Sequence, residues 1–183
     1  MDAFVGFPKI PRLSRECIIS EKIDGTNAQI FWDPTMTYML VGSRTRWITT
    51  DKDNHGFARW ASDNVEELRK LGPGHHFGEW WGQGIQRVYG LKEKRFSLFN
   101  TTRWGDDTVR PACCHVVPVL YTGPFDDVFD AIDIIFGYFS QRGSIASPGF
   151  MKPEGVVIYH VAGNLMFKKT IEKDDQPKTK TVV

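Results

Sequence analysis

Cysteine is scarce in this chain. There are three in 183 residues, two of them adjacent (Cys113, Cys114). That excludes a disulfide framework and the usual zinc spacings, so a reduced, cytosolic setting is the expectation. Long apolar runs are also missing. The longest, around 131–139, is interrupted by Asp133 and Gly137 and is too short to span a bilayer, so no membrane partner is expected. The N-terminus, Met1-Asp2-Ala3-Phe4, has no basic region followed by an apolar stretch, and no signal peptide is read. Charge of one sign is nearly absent. The net value of +1 excludes attraction to nucleic acid by the molecule as a whole, so any basic surface must be local. No internal repeat or low-complexity linker divides the chain. One domain over 1–183, acting as a monomer, is expected, with a charged, solvated and mobile tail from about residue 172.

What is present suits a packed globule, since 41% of residues are apolar and 25% charged. Residues 18–23 and 28–32 read as strands flanking an Asp24-Gly25 turn, and 38–43 as a third strand. Phe57, Trp60, Ala61, Val65 and Leu68 recur at helical spacing, predicting one helix over 56–71 that Gly72-Pro73-Gly74 stops. Residues 76–81 and 95–100 are further strands, and 116–120 is an apolar, buried stretch. A second helix over 126–139 has an acidic start that suits the helix dipole. Residues 155–161 and 164–169 form a hairpin turning at Ala162-Gly163. The expected class is α+β, antiparallel β-sheets with flanking helices.

The chemistry begins at Lys22, in Glu21-Lys22-Ile23-Asp24-Gly25-Thr26-Asn27. A free lysine titrates at about 10.4 and is not nucleophilic until it is desolvated or placed beside another cation. Ile18, Ile19 and Ile23 offer an apolar setting; Lys168, Lys169 or a metal offer positive charge. Further along stand Arg44 at a strand end, Glu79 inside a glycine- and aromatic-rich strand, Phe96 and Phe99 on opposite strand faces, Glu154 at the start of a strand, and Lys168-Lys169 at a strand end. Each alone fits an ordinary surface or core residue. His75-His76 face opposite ways in a strand, so a metal site there is the weaker reading. Arg44, Arg46, Arg59, Arg69, Arg87, Lys92, Lys94 and Arg95, with Trp47, Trp80 and Trp81, are candidates for a local phosphate-binding face, or equally for a mixed-charge surface. The glycine-rich 82–87 matches no phosphate-loop motif.

In this order and spacing the motifs resemble the covalent nucleotidyltransferase superfamily, and most closely the RNA ligase family of the phage nick-sealing type. The resemblance runs from Glu21 to Lys169. It implies a nucleotidyltransferase (ATP-grasp-like) ligase domain that uses ATP and Mg²⁺ or Mn²⁺. By resemblance, Lys22 is the lysine that attacks the nucleotide α-phosphate, and Glu21, Asp24 and Asn27 flank it in the nucleotide site. Arg44 is similar to the arginine that contacts the ribose and the nucleic-acid end. Glu79 resembles the acid that binds the ribose hydroxyls. Phe99 resembles the aromatic that stacks on the base, with Phe96 the weaker candidate. Glu154 resembles a metal-binding carboxylate, with Asp24 as a second. Lys168 resembles the lysine that contacts the α-phosphate.

Three departures stand out. The final motif is usually Lys-x-Lys, but here Lys168 and Lys169 are adjacent and Thr170 follows; alternation lets only one face a pocket, and Lys168 is favoured. Asn100 stands where many relatives have aspartate. With few residues after the last motif, no oligonucleotide-binding barrel or helical domain is expected there. The implied partners are RNA ends or nicks, with DNA as an alternative. The implied reaction is AMP transfer through Lys22 to a 5′-phosphate and sealing by a 3′-hydroxyl. A minimal DNA ligase, a GTP-using capping transferase and a nucleotide- or RNA-end-binding module without turnover are the competing readings.

Overall fold

The computed structural model describes residues 3–175. The alternating apolar residues of the first half build one sheet and the two chain ends close another. The four-stranded sheet has the order β10-β9-β1-β8, formed by β1 (Glu16–Lys22), β8 (Val119–Pro124), β9 (Gly155–His160) and β10 (Leu165–Thr170), all antiparallel. The six-stranded sheet has the order β4-β3-β2-β5-β6-β7. It contains β2 (Thr26–Trp32), β3 (Met39–Ser43), β4 (Trp47–Ile48), β5 (Gly74–Gly82), β6 (Lys94–Leu98) and β7 (His115–Val116). Only the short β6–β7 pair is parallel. This is the α+β architecture expected from the pattern.

Each sheet buries one face against helix. Behind the six-stranded sheet lie α1 (Phe57–Asp63) and α2 (Val65–Leu68), followed by a 3-10 turn at Arg69–Leu71; a short α3 (Thr101–Trp104) follows β6. The core there gathers Ile30, Trp32, Phe57, Leu68, Trp80 and Phe96. Behind the four-stranded sheet lies α4 (Val128–Arg142), whose Val128, Ile132, Ile135 and Phe139 meet Cys17, Ile19, Val156 and Ile158. A third cluster, Ile23, Trp81, Tyr89 and Val117, sits where β1 passes into β2.

Three expectations change. The strands around Asp24-Gly25 do not pair: β1 belongs to one sheet and β2 to the other, so the turn is the crossover between sheets. The helix over 56–71 breaks at Asn64, which leaves helical geometry at φ −112°, ψ 18°. The stretch 116–120 is not wholly buried; Val117 is in the core while Val119 is 48% exposed. The tail expected from residue 172 lies largely outside the described residues. Its described start turns back, with Asp174 accepting hydrogen bonds from Lys169 Nζ and Thr170 N, each 2.8 Å. Among the described residues, no helix is long and apolar enough to cross a membrane.

Candidate active site

The crossover brings the end of β1 beside the start of β2, and strand alternation decides which side chains face one another there. Lys22 ends β1, opposite Gly155 of β9. Its Nζ donates to Glu154 Oε2 at 2.6 Å. Lys22 is partly exposed while Glu154 is 5% exposed, so the pair is largely shielded from solvent. Glu154 is followed by Gly155 at φ 151°, where a Cβ would meet Lys169 O at 2.2 Å; the Glu-Gly pair lets β10 close against the strand that presents the acid.

Glu79 comes from the other sheet. It is the register partner of Asn27, so the two side chains lie on one face of β5 and β2. Glu79 Oε2 accepts from Asn27 Nδ2 at 2.8 Å and Oε1 accepts from Gly25 N at 3.0 Å, which ties the crossover to β5. Burial raises its carboxyl to about 7, although the Lys22 charge and both hydrogen bonds pull the other way, with Glu154 adding to the rise. Gly25 passes so close to β5 that a Cβ would lie 2.5 Å from Trp80 O.

The register separates the adjacent lysines. Lys168 pairs with Val157, which pairs with Ser20, placing Lys168 on the Lys22 face of the sheet. Lys169 pairs with Val156 of the α4 core, faces away, and bonds Asp174. Thr170 falls in the row of Gly155 and Lys22. Phe99 follows Leu98 of β6 and its N–H donates to Phe77 O at 2.9 Å; alternation from Ser97, the partner of Glu79, puts its half-exposed ring on the Glu79 face. Phe96 is on the opposite face and fully buried. Asn100 caps α3, its side chain accepting from Arg103 N; aspartate caps in the same way, which accounts for the departure.

Other residues fall elsewhere. Glu21 is not brought to the cleft. One position from Lys22, its carboxylate points to the α4 side, is 1% exposed, and accepts from Ser144 Oγ, Ile145 N and Ala146 N. A nucleotide-binding role for its side chain gives way to bracing the 144–146 segment, for the simple reason that strand neighbours face apart. Burial raises its carboxyl too, against those three bonds. Asp24 is held by Arg87, whose Nε donates to Oδ2 at 3.0 Å, and its own N–H donates to Tyr89 Oη at 2.8 Å. Arg44 is exposed in the β3–β4 turn. The expected basic face is not a single surface. Arg69 lies over Trp32, Arg95 pairs with Glu93, Lys94 donates to His55 O, and Trp80 and Trp81 are buried.

Sequence reading did not find Arg87 and Tyr89 as partners of Asp24. They lie in the irregular 83–93 loop, and no periodicity marks a loop residue that packs 63 and 65 positions away. Ser144, which anchors Glu21, carried no signal either. Among the described residues no group of three or more His, Cys, Asp or Glu is placed to hold a metal.

Comparison with known proteins agrees with this fold. No curated protein matches the chain significantly. A Naegleria gruberi RNA ligase variant solved with ATP and Mn aligns with TM-score 0.63 at 19% identity, covering 87% of this chain and 51% of that one. A second variant of that ligase, also with ATP and Mn, gives TM-score 0.61 at 17% identity over 87% and 51%. A third, with AMP and Mn, gives 0.61 at 17% over 86% and 50%. At these identities the likeness is one of fold, and this chain spans about half the length of the chains it matches. A family model described as RNA ligase matches residues 15–173. The chain therefore belongs to the RNA ligase family.

Proposed function

We propose that this chain is the nucleotidyltransferase domain of an ATP-dependent RNA ligase that works through a lysyl-AMP intermediate on Lys22. The observation that carries the reading is the 2.6 Å contact between Lys22 Nζ and buried Glu154, with Glu79 and Asn27 facing them from the second sheet. The ATP- and AMP-bound states of the Naegleria ligase supply the nucleotide.

In the first step the Lys22 ammonium loses one proton to become an amine, its Nζ bonds to the α-phosphorus, and a second proton passes from Nζ to solvent. The bond to the bridging oxygen breaks, pyrophosphate leaves, and a phosphoramidate remains. Lys168 lies on the same sheet face to meet the developing phosphate charge. Asn27 and Glu79 orient the sugar, and Phe99 offers its ring to the base. A 5′-phosphate oxygen then displaces Lys22 from the AMP. Finally a 3′-hydroxyl attacks the activated phosphate and AMP leaves. The work is positioning and electrostatics, for which a rigid two-sheet cleft is suited.

Magnesium keeps several waters and needs only one or two protein carboxylates beside substrate phosphates, so the donor set fits. Glu154 is the residue that would hold it, and doing so would release Lys22 from its ion pair. Asp24 fits less well because Arg87 already engages it. The bound ion supplies positive charge to the phosphates.

Incubation with α-labelled ATP and Mg²⁺ should label the wild-type protein and leave Lys22→Ala unlabelled; an unlabelled wild type would defeat the reading. A binding module without turnover is favoured by Thr170 standing where the motif has a second lysine. It predicts ATP retention with no covalent label.

A further inference from the structure

The cleft face of the six-stranded sheet does not stop at Glu79. Beyond it, in register, come Phe77 and His75 on β5, Phe31 on β2 and Trp47 on β4. Their rings form a continuous set. His75 and Phe77 lie 5.8 Å apart with planes 7° from parallel, His75 and Trp47 lie 6.2 Å apart at 22°, and Phe31 is 4.6 Å from His75. Tyr38 extends the set, 6.4 Å from Phe31. Phe77, Trp47 and Tyr38 are 53%, 47% and 52% exposed, whereas Trp80 and Phe96, on the other face of the same strands, are buried. A row of rings left open in this way marks a binding surface.

Its chemistry selects the occupant. Between Glu79 at the cleft and Asp33 in the β2–β3 turn, no strand position on this face carries a carboxylate: β2 offers Asn27, Gln29 and Phe31, β5 offers Phe77 and His75, and β3 offers Leu40 and Gly42. Exposed Arg46 immediately precedes Trp47 at the edge. Flat rings beside a cation, on strand positions free of carboxylates, match bases and phosphates. Bases inside a duplex are already stacked and cannot lie on rings, so the surface reads unpaired nucleotides.

We propose that this face holds a single-stranded stretch of RNA next to the end served by Lys22, its bases stacked on the Trp47–His75–Phe77 rings and its backbone drawn by Arg46. The choice of RNA rests on the ligase reading; the binding itself does not.

Fluorescence anisotropy with a short labelled oligouridylate, and with a blunt RNA duplex of equal length, tests this on the full chain. Trp47→Ala and His75→Ala are each expected to weaken oligouridylate binding about tenfold and duplex binding little, as loss of one stacked base predicts. Trp47→Phe should stay near wild type, and Arg46→Gln should lower the salt dependence by about one phosphate. AMP loading on Lys22 in the absence of RNA should be unchanged in Trp47→Ala and His75→Ala. Wild-type affinity in the alanine variants would overturn the proposal. So would equal losses for oligouridylate and duplex, or a Trp47→Phe defect matching that of Trp47→Ala. Failure of wild-type AMP loading would remove the ligase reading but leave the strand-binding result to be judged on its own.

Discussion

At the scale of single residues, the site turns on how burial and neighbours set charge. Glu79 is an acid whose folded value, about 7, lies above its ordinary 4.5 because burial penalises the anion. Between those values the folded state holds a proton that the unfolded chain has lost, so stability must fall as pH rises through that window. The loss is at most about 3 kcal/mol, from 1.36 kcal/mol per pH unit. Glu21, raised by burial as well, acts in the same direction. His76 and His115, both lowered by burial, act the other way, so the test is the difference: in thermal melts from pH 5 to 8 the wild type should lose more stability with rising pH than Glu79→Gln does. A slope unchanged in Glu79→Gln would refute the assignment. Lys22, Asn27, Glu79 and Glu154 were all legible from their motifs. Glu21 faces the α4 side, and the reason is local to the sequence: a residue next to Lys22 on a strand must point the other way.

Among the elements, β10 and the crossover carry the sharpest consequences. Because Lys168 shares the Lys22 face while Lys169 bonds Asp174 behind the sheet, the two lysines should differ on mutation. Lys168→Ala is expected to slow AMP loading about 100-fold or more, the scale of removing one preorganised donor to developing charge. Lys169→Ala should load AMP and melt like wild type; equal defects in single-turnover labelling would show the register argument to be wrong. Gly25 runs against β5 with no room for a Cβ, so Gly25→Ala should cost about 1–3 kcal/mol by chemical denaturation, as overpacking does. Near-wild-type stability there would mean the crossover can shift away from Trp80. The alternation patterns of β1, β2, β5 and the β9–β10 hairpin were readable because period 2 is local. That β1 and β2 join different sheets was not, since it depends on β1 finding partners about 100 positions away or more. The break at Asn64 was equally hidden, because the apolar spacing of 57–68 continues through it.

For the molecule as a whole, the residues proposed to handle the nucleotide are divided between two sheets: Lys22, Glu154 and Lys168 with one, Asn27, Glu79 and Phe99 with the other. A net charge of +1 gives no hint of this, because what matters is the local pairing of acids and bases across the cleft. A ligand that touches both sheets must stabilise the folded chain, and the proposed covalent step would make part of that gain permanent. With Mg²⁺ and ATP at about 100 times Kd, Lys22→Ala should gain about 2.7 kcal/mol, or roughly 5–10 °C in Tm for a domain of this size. Desalting should remove the whole gain from Lys22→Ala, where the nucleotide is only bound. In the wild type part of it should survive desalting and also a chelator added afterwards, because AMP then hangs on a phosphoramidate. Chelator added before ATP should prevent that retained shift. A wild-type gain that vanishes on desalting would show binding without covalent capture, and no shift in either protein would show that the cleft takes no nucleotide.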